Sequence, residues 1–269
     1  MNTRAFSIFL LACIAAISPF IFAGKIFAQT TSTIVIQPGY DANNYNRIIY
    51  GNYPDTNYPV NEQVMLGFQN MENALMRFDL SRIPADARIN SAFLSLNIYG
   101  MTNAFNFTVR RVLSPWVDSQ VTYNHRTATT GWITPGAYSF DNDISSTVLG
   151  TDLSFIGVND IPLNVSEMQK MLGQNYGMWF HKDNEENNFA VWHMMTDSTP
   201  SNRPKLTITY SIPLPGDANN DGVVDDKDYS IWRSHFGQST NRGTGDGDFN
   251  KDGIVDGVDY AVWLTNYSV

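Results

Sequence analysis

Cysteine is almost missing from this chain. Cys13 is the single one in 269 residues, and it lies inside an apolar run near the amino terminus. Beyond that run the chain can form no internal disulfide, and it offers neither a thiol nucleophile nor a thiolate zinc cage. Positive charge is also sparse. Lys and Arg number 17 against 26 Asp and Glu, for a net charge of −9 and an isoelectric point near 4.7. A surface of that sign repels a phosphate backbone, so nucleic acid is excluded as a partner. The sequence also contains no G-x-x-x-x-G-K-[ST] phosphate loop, no G-x-S-x-G elbow and no H-E-x-x-H pair. Each of those patterns places specific groups around a reacting atom, and each reaction class loses its usual signature here.

Long apolar stretches are confined to the start. Met1 to Arg4 is a short positive segment, Ala5 to Gly24 is almost wholly apolar, and Ile26-Phe27-Ala28 puts a small residue before Gln29. This reads as a secretory signal over residues 1–28, with the mature chain secreted or held at the cell surface. The apolar run also matches the ~20 residues that span a bilayer, so an uncleaved anchor is a second reading and the only one with a membrane partner. Leu10-Leu11-Ala12-Cys13 has the look of a lipoprotein box, but its longer apolar stretch follows the cysteine instead of preceding it.

What the chain does have is acid in a repeated pattern. Asp217, Asn219, Asp221, Asp225 and Asp228 occupy positions 1, 3, 5, 9 and 12 of a twelve-residue stretch, and Asp248, Asn250, Asp252, Asp256 and Asp259 repeat it 31 residues later. Calcium is a hard cation that takes six to eight oxygens, and short Asp and Asn side chains on alternate residues of a tight turn can converge on one. Gly222 and Gly253 fall at position 6, where the chain must bend sharply. Val223 and Ile254 at position 7 are expected to supply backbone carbonyls while their side chains pack inward. The pattern thus calls for two structural calcium ions.

After each loop comes an apolar stripe at i, i+3, i+7: Tyr229, Trp232, Phe236, then Tyr260, Trp263, Tyr267. That spacing predicts a helix behind each loop, with the stripes packing the two helices together. Neither loop has an amphipathic helix in front. From Pro213 to Val269, ten carboxylates face four Lys and Arg, so without metal the carboxylates repel one another. A module this small, with no disulfide, needs such a staple.

This arrangement resembles the type I dockerin, a module of two calcium loop-helix repeats, over about Gly216 to Val269. The resemblance implies that the ten Asp and Asn residues above are calcium ligands, with carbonyls from Val223 and Ile254. It also implies a cohesin partner or another surface assembly, contacted through loop positions 10 and 11 and through the helix surface. Those positions are Asp226-Lys227 and Arg233-Ser234 in the first copy, and Gly257-Val258 and Leu264-Thr265 in the second. The two copies differ, and neither carries the Ser-Thr pair common in dockerins of cellulosomes.

Residues 29–212 are enough for one domain with a substantial core, joined to residues 217–269 by a linker at 213–216. Its pattern is β. Ala92, Leu94, Leu96 and Ile98 alternate with Phe93, Ser95, Asn97 and Tyr99, Phe105, Phe107, Val109 and Arg111 with Asn106, Thr108, Arg110 and Val112, and Leu206, Ile208 and Tyr210 with Lys205, Thr207 and Thr209. Further strands are expected at Thr33–Gln37, Val64–Phe68, Ala74–Asp79, Gly177–His181 and Phe189–Met194. Only Ser166–Leu172 looks helical. Many short strands with turn-rich punctuation indicate a β-sandwich or jelly roll, mainly β overall, with a small helical tail.

Several strings in this body are similar to the DNRLRE family of secreted modules. They are Met76-Arg77-Phe78-Asp79-Leu80, Ile83 to Ala92, Pro115-Trp116 with Val121-Thr122-Tyr123, Asn175-Tyr176-Gly177 and Pro204-Lys205-Leu206. The likeness implies a β-sandwich whose common use is binding polysaccharide. Sugars in water stack on aromatic faces. The candidates are Tyr40, Tyr45, Tyr50, Tyr53 and Tyr58 in an Asn-rich loop region, and Trp132 with Tyr138 in another; the ligand site itself stays unassigned. An acidic polymer would need a positive cluster such as Arg110-Arg111 with Arg77 and Arg88. The body has 11 Lys and Arg against 16 Asp and Glu, which favours a neutral glycan.

The leading reading is a noncatalytic exported protein that binds polysaccharide and is attached to a larger assembly by its tail. A structural or adhesive surface protein is one alternative. A small glycoside hydrolase or polysaccharide lyase is another. A hydrolase needs two carboxylates across the scissile bond, for which Asp79, Asp118, Glu167, Asp183, Glu185 and Glu186 are available. His181 and His193, expected on paired strands flanking the Asp183–Asn188 turn, could hold a metal or act as a base.

Overall fold

Period-two patterning becomes strand throughout the body. The computed structural model describes residues 30–58, 63–67, 72–183, 186–240 and 242–268. The chain divides into a larger unit, Ala28–Leu214, and a smaller one that includes Pro215–Val269. The proposed signal segment, residues 1–28, lies outside the described residues, as does Phe68 of one expected strand. Among the described residues no helix is long and apolar enough to cross a membrane.

Two antiparallel sheets form the larger unit. One runs β1 (Thr31–Ile36), β13 (Lys205–Ser211), β5 (Arg88–Met101), β12 (Ala190–His193), β3 (Gln63–Leu66), with β10 (Gly157–Pro162) on the opposite edge of β5. The other runs β2 (Tyr45–Tyr50), β4 (Glu72–Arg77), β11 (Met178–Lys182), β6 (Asn106–Val112), β9 (Ile144–Leu153). Leu94, Leu96, Ile98, Leu206 and Ile208 of the first sheet share one core with Ala74, Met76, Phe107, Val109, Met178 and Phe180 of the second. Burial of apolar area in this layer is the main force holding the sandwich together.

The helix α1 (Val165–Gly173) closes one side. Asn164 caps it by accepting from the Glu167 amide, and Met168 and Met171 enter the core. Glu167 itself is buried, bonded to Arg111 at 3.0 Å and Lys170 at 2.6 Å.

A second apolar cluster covers the outer face of the five-stranded sheet. Tyr45, Ile49, Leu75, Val112 and Trp179 are roofed by Trp116, Val121, Trp132 and Ala137, which come from the excursion between β6 and β9. That excursion includes a short ribbon, β7 (His125–Thr127) with β8 (Thr130–Gly131). Arg47 of β2 fastens it through a 2.7 Å bond from Nε to Asp118. The sheet is therefore buried on both faces at this end. At Gly136 (φ 80°) an added Cβ would lie within 2.8 Å of the Tyr123 and Tyr138 rings, so the roof can close only over glycine.

Where the alternation is masked, expectation and structure part. Tyr45–Tyr50 is a strand and not loop, because Asn46 and Arg47 are buried polar residues that hide its period. The strands β9 and β10, rich in Ser, Thr, Gly and Asp, are a further difference from the sequence expectation.

Candidate metal centre

In the smaller unit each acidic loop runs directly into a helix. The first leads into α2 (Asp226–His235) and the second into α3 (Gly257–Asn266). The sequence dictates these starts. Asp225 and Asp256 are N-caps that accept from the amides of Lys227 and Val258, while Asp228 and Asp259 reach back to the amides of Asp225 and Asp256. Each pair is a complete capping box, and the carboxylates also sit at the positive helix end.

The same carboxylates tie the loops into rings. Asp228 Oδ1 accepts from the amides of Ala218 (2.8 Å) and Asn219 (3.0 Å), and Asp259 Oδ1 from those of Phe249 (2.8 Å) and Asn250 (3.0 Å). Asp217 accepts from Gly222 and Asp248 from Gly253, both at 3.0 Å. Gly222 and Gly253 have φ of 87° and 90°, the left-handed bend expected at position 6. Asn219 and Asn250 accept from the amides of Asp221 and Asp252, which in turn accept from Val223 and Ile254. The two copies share each of these bonds and differ at position 1, where Asp248 Oδ1 also accepts from the Asp252 amide at 3.1 Å and Asp217 Oδ1 has no such partner.

One expectation fails. The side chains of Val223 and Ile254 do not pack inward but are 46% and 49% exposed. Their neighbours at position 8, Val224 and Val255, are buried instead. The backbone here is extended, as the bridge between Ser239 and Ile254 and the bond from the Gly237 amide to the Val255 carbonyl show. Successive side chains of an extended backbone point opposite ways, so only one of each pair can face the core.

The aromatic stripes do meet. Tyr229 lies 5.1 Å from Trp263 and Trp232 lies 5.1 Å from Tyr260, centroid to centroid, across the two helices. Phe236, at the end of its stripe, is exposed. Crossed bonds that no local pattern signals lie beside them: Trp232 Nε1 donates to the Asp256 carbonyl at 2.9 Å, and Trp263 Nε1 to the Asp225 carbonyl at 3.0 Å. Gly216 and Gly247 stand one residue before each loop. A Cβ on Gly216 would stand 3.1 Å from Trp263 Cα, and one on Gly247 2.6 Å from Trp232 Cα, so each glycine admits the helix of the other repeat.

Charge in the first loop is unbalanced. Burial pushes the Asp217 carboxyl above the usual carboxylate range, the Gly222 amide draws it back, and the nearby Asp228 and Asp221 charges add to the rise. Its Oδ1 is buried without a hydrogen-bond partner. The Lys227 ammonium, 3.1 Å from Asp221 and 3.5 Å from Asp225, offsets the rim only. A buried, unpartnered carboxylate oxygen among oxygen donors fits a hard divalent cation. Among the described residues no three His, Cys, Asp or Glu side chains already stand close enough to share an ion.

The docking candidates are all exposed. In the first copy Asp226, Lys227, Arg233 and Ser234 present a polar, mixed-charge face; in the second Gly257, Val258, Leu264 and Thr265 present an apolar one. Tyr267 donates to Asp226 at 3.1 Å, which joins the chain end to the start of α2.

In the body, several candidates prove structural. Tyr45 and Trp132 are core, Trp116 donates to the Tyr176 carbonyl at 2.7 Å, and Tyr40 donates to Asp118. Tyr138 packs edge-on against Trp179 and His181. The arginines form no common cluster, because Arg111 is consumed by Glu167, Arg77 donates to Tyr45, and Arg110 lies over Phe140 and donates to the Ser145 and Ser146 carbonyls. His181 and His193 are not on paired strands: β11 and β12 belong to different sheets. His181 bonds to Asn73 and His193 to Asp197. Asp79, Asp118, Glu167, Asp183 and Glu186 each serve a local bond, to Ser81, Arg47, Arg111, Thr108 and Asn188 respectively, while Glu185 lies outside the described residues.

Residues 215–267 match the family model of the dockerin type I domain. The smaller unit is thus similar to dockerins in sequence as well as in its duplicated loop and helix. No curated protein matches the chain.

Proposed function

We propose that this is an exported, noncatalytic protein whose β-sandwich holds a polysaccharide and whose tail is a calcium-stabilised dockerin that attaches it to a cohesin-bearing assembly. The observation that carries the attachment role is the duplicated, cross-bonded loop-helix pair within the segment matching the dockerin type I model. In this reading Asp217, Asn219, Asp221, Asp225 and Asp228 hold one ion and Asp248, Asn250, Asp252, Asp256 and Asp259 the other, with carbonyls from Val223 and Ile254. The ions neutralise the buried acid, and the chain's own capping boxes and indole bonds convert that neutralisation into a fixed pair of helices.

The docking face would include Asp226, Lys227, Arg233 and Ser234 on one copy and Gly257, Val258, Leu264 and Thr265 on the other. Their unlike chemistry favours a single docking orientation, since a partner complementary to one face meets the wrong groups on the other. The polysaccharide role rests on the sandwich and on the strings that resemble DNRLRE modules. Coupling a weak binder to an assembly raises its local concentration on an insoluble polymer without new contacts.

The decisive experiment is calorimetric titration of the full chain with calcium, followed by titration of the loaded protein with a panel of cohesin modules. Uptake of two ions and calcium-dependent cohesin binding support the proposal. No stoichiometric uptake at millimolar calcium removes the attachment role.

A further inference from the structure

The loop between β2 and β3 holds an aromatic residue in the open. Tyr53 is 61% exposed, yet it is firmly placed. Its ring leans on Tyr50 with centroids 5.8 Å apart, and Tyr50 in turn lies 6.2 Å from Tyr58. The Tyr53 amide donates to the Tyr50 carbonyl at 3.2 Å, and the Thr56 amide closes the next turn on the Tyr53 carbonyl at 3.0 Å.

The same loop is clamped from the roof. The Asn124 amide donates to the Pro54 carbonyl at 2.9 Å, and Asn124 Nδ2 to Asp55 Oδ1 at 2.9 Å. Asn57 Nδ2 donates to the Asp118 and Val121 carbonyls, and Arg47 Nη1 to the Tyr58 carbonyl at 2.6 Å. Asp55 also stands 3.4 Å from His125 Nδ1, with both side chains substantially exposed. Fixing an aromatic face and an acceptor before a ligand arrives removes the ordering cost of binding.

We infer that Tyr53 and Asp55 form a subsite for a neutral polysaccharide, with the Tyr53 ring stacked on the apolar face of a pyranose and the Asp55 carboxylate accepting from its hydroxyls. Asn52 and Thr56, exposed on either side, and His125 complete a hydroxyl-binding rim. A carboxylate at the centre repels uronates and sulfated chains, so the subsite selects against acidic polymers. This assignment rests on the polysaccharide-binding part of the proposed function and gives it a location and a substrate class.

The test is affinity electrophoresis and pull-down of the full chain on cellulose, xylan, mixed-linkage glucan and chitin, with alginate and polygalacturonate as acidic comparators. Wild-type protein should bind at least one neutral polymer. Tyr53→Ala and Asp55→Ala should each weaken that binding by about tenfold or more, while Tyr53→Phe, which keeps the ring, should stay within about threefold. Unchanged melting curves will show that the variants fold. If wild type and both alanine variants bind a polymer equally, or if the acidic polymers are preferred, the subsite is wrong while the binding role stands. If wild type binds none of the six, the polysaccharide reading fails together with the subsite.

Discussion

Trp232 donates its indole N–H to the Asp256 carbonyl, 2.9 Å away, so the helix behind one acidic loop is fastened to the residue that caps the helix of the other. Trp263 returns the same bond to Asp225. Neutralising one loop therefore helps to position the other, and the two ions should bind cooperatively. Trp232→Phe and Trp263→Phe are each expected to cost about 0.5–1.5 kcal/mol and to lower the Hill slope of calcium binding, read by isothermal titration. Unaltered slopes in both variants would refute the coupling.

Calcium removal should unfold the smaller unit and leave the larger one folded. With calcium, calorimetry of the full chain is expected to show the smaller unit melting as its own transition, and excess chelator should abolish that transition while leaving the larger one in place. Asp217→Ala and Asp248→Ala should act as partial chelation, one loop at a time. A scan identical with and without chelator would overturn the structural role given to the ions.

Backbone crowding gives a sharper prediction at Gly247. Its φ is 93°, and an added Cβ would come within 2.6 Å of Trp232 Cα, which is main chain and cannot swing aside. Gly247→Ala should destabilise the smaller unit by more than about 1 kcal/mol and weaken calcium binding, whereas Gly245→Ala, with nothing within 4 Å, should be nearly silent. Equal melting of the two variants would count against the close approach.

The Glu167 carboxyl is expected to make the sandwich acid-sensitive. Burial alone would raise its pKa, but bonds from Lys170, Arg111 and Ser145 and the Arg111 charge outweigh that and hold it below the usual range. The stability it contributes is therefore present above its unfolded value of about 4.3 and is lost as pH falls through the lower folded value. Melting of the larger unit should drop below about pH 4, and Glu167→Gln should flatten that dependence. Glu167→Ala leaves Arg111 buried and unpaired, at an expected cost of about 3–5 kcal/mol. A pH profile identical in wild type and Glu167→Gln would dissociate the group from acid sensitivity.

Much of this was legible in the sequence, for identifiable reasons. The acidic loops declare themselves because coordination chemistry demands particular side chains at fixed spacing. The strands β5 and β13 declare themselves because one face is buried and the other wet. The strand β2 did not, because Asn46 and Arg47 are buried with polar partners and break the alternation. The apparent pairing of His181 with His193 failed because a turn between two strands in sequence joins two different sheets here. Gly216 and Gly247 were invisible because their purpose lies in a helix more than twelve residues away along the chain. At positions 7 and 8 the parity of an extended backbone decides which side chain is covered, and it covers Val224 and Val255.

Because each repeat supplies the indole and receives the glycine notch of its twin, neither half is a finished fold. Cleavage in the connection between the repeats should leave the larger unit folded, while the two half-repeats lose their structure when separated and regain it when mixed with calcium, in the manner of a split reporter. What binds the halves is lateral and reciprocal, and residues 237–240 add their own backbone bonds to the second loop.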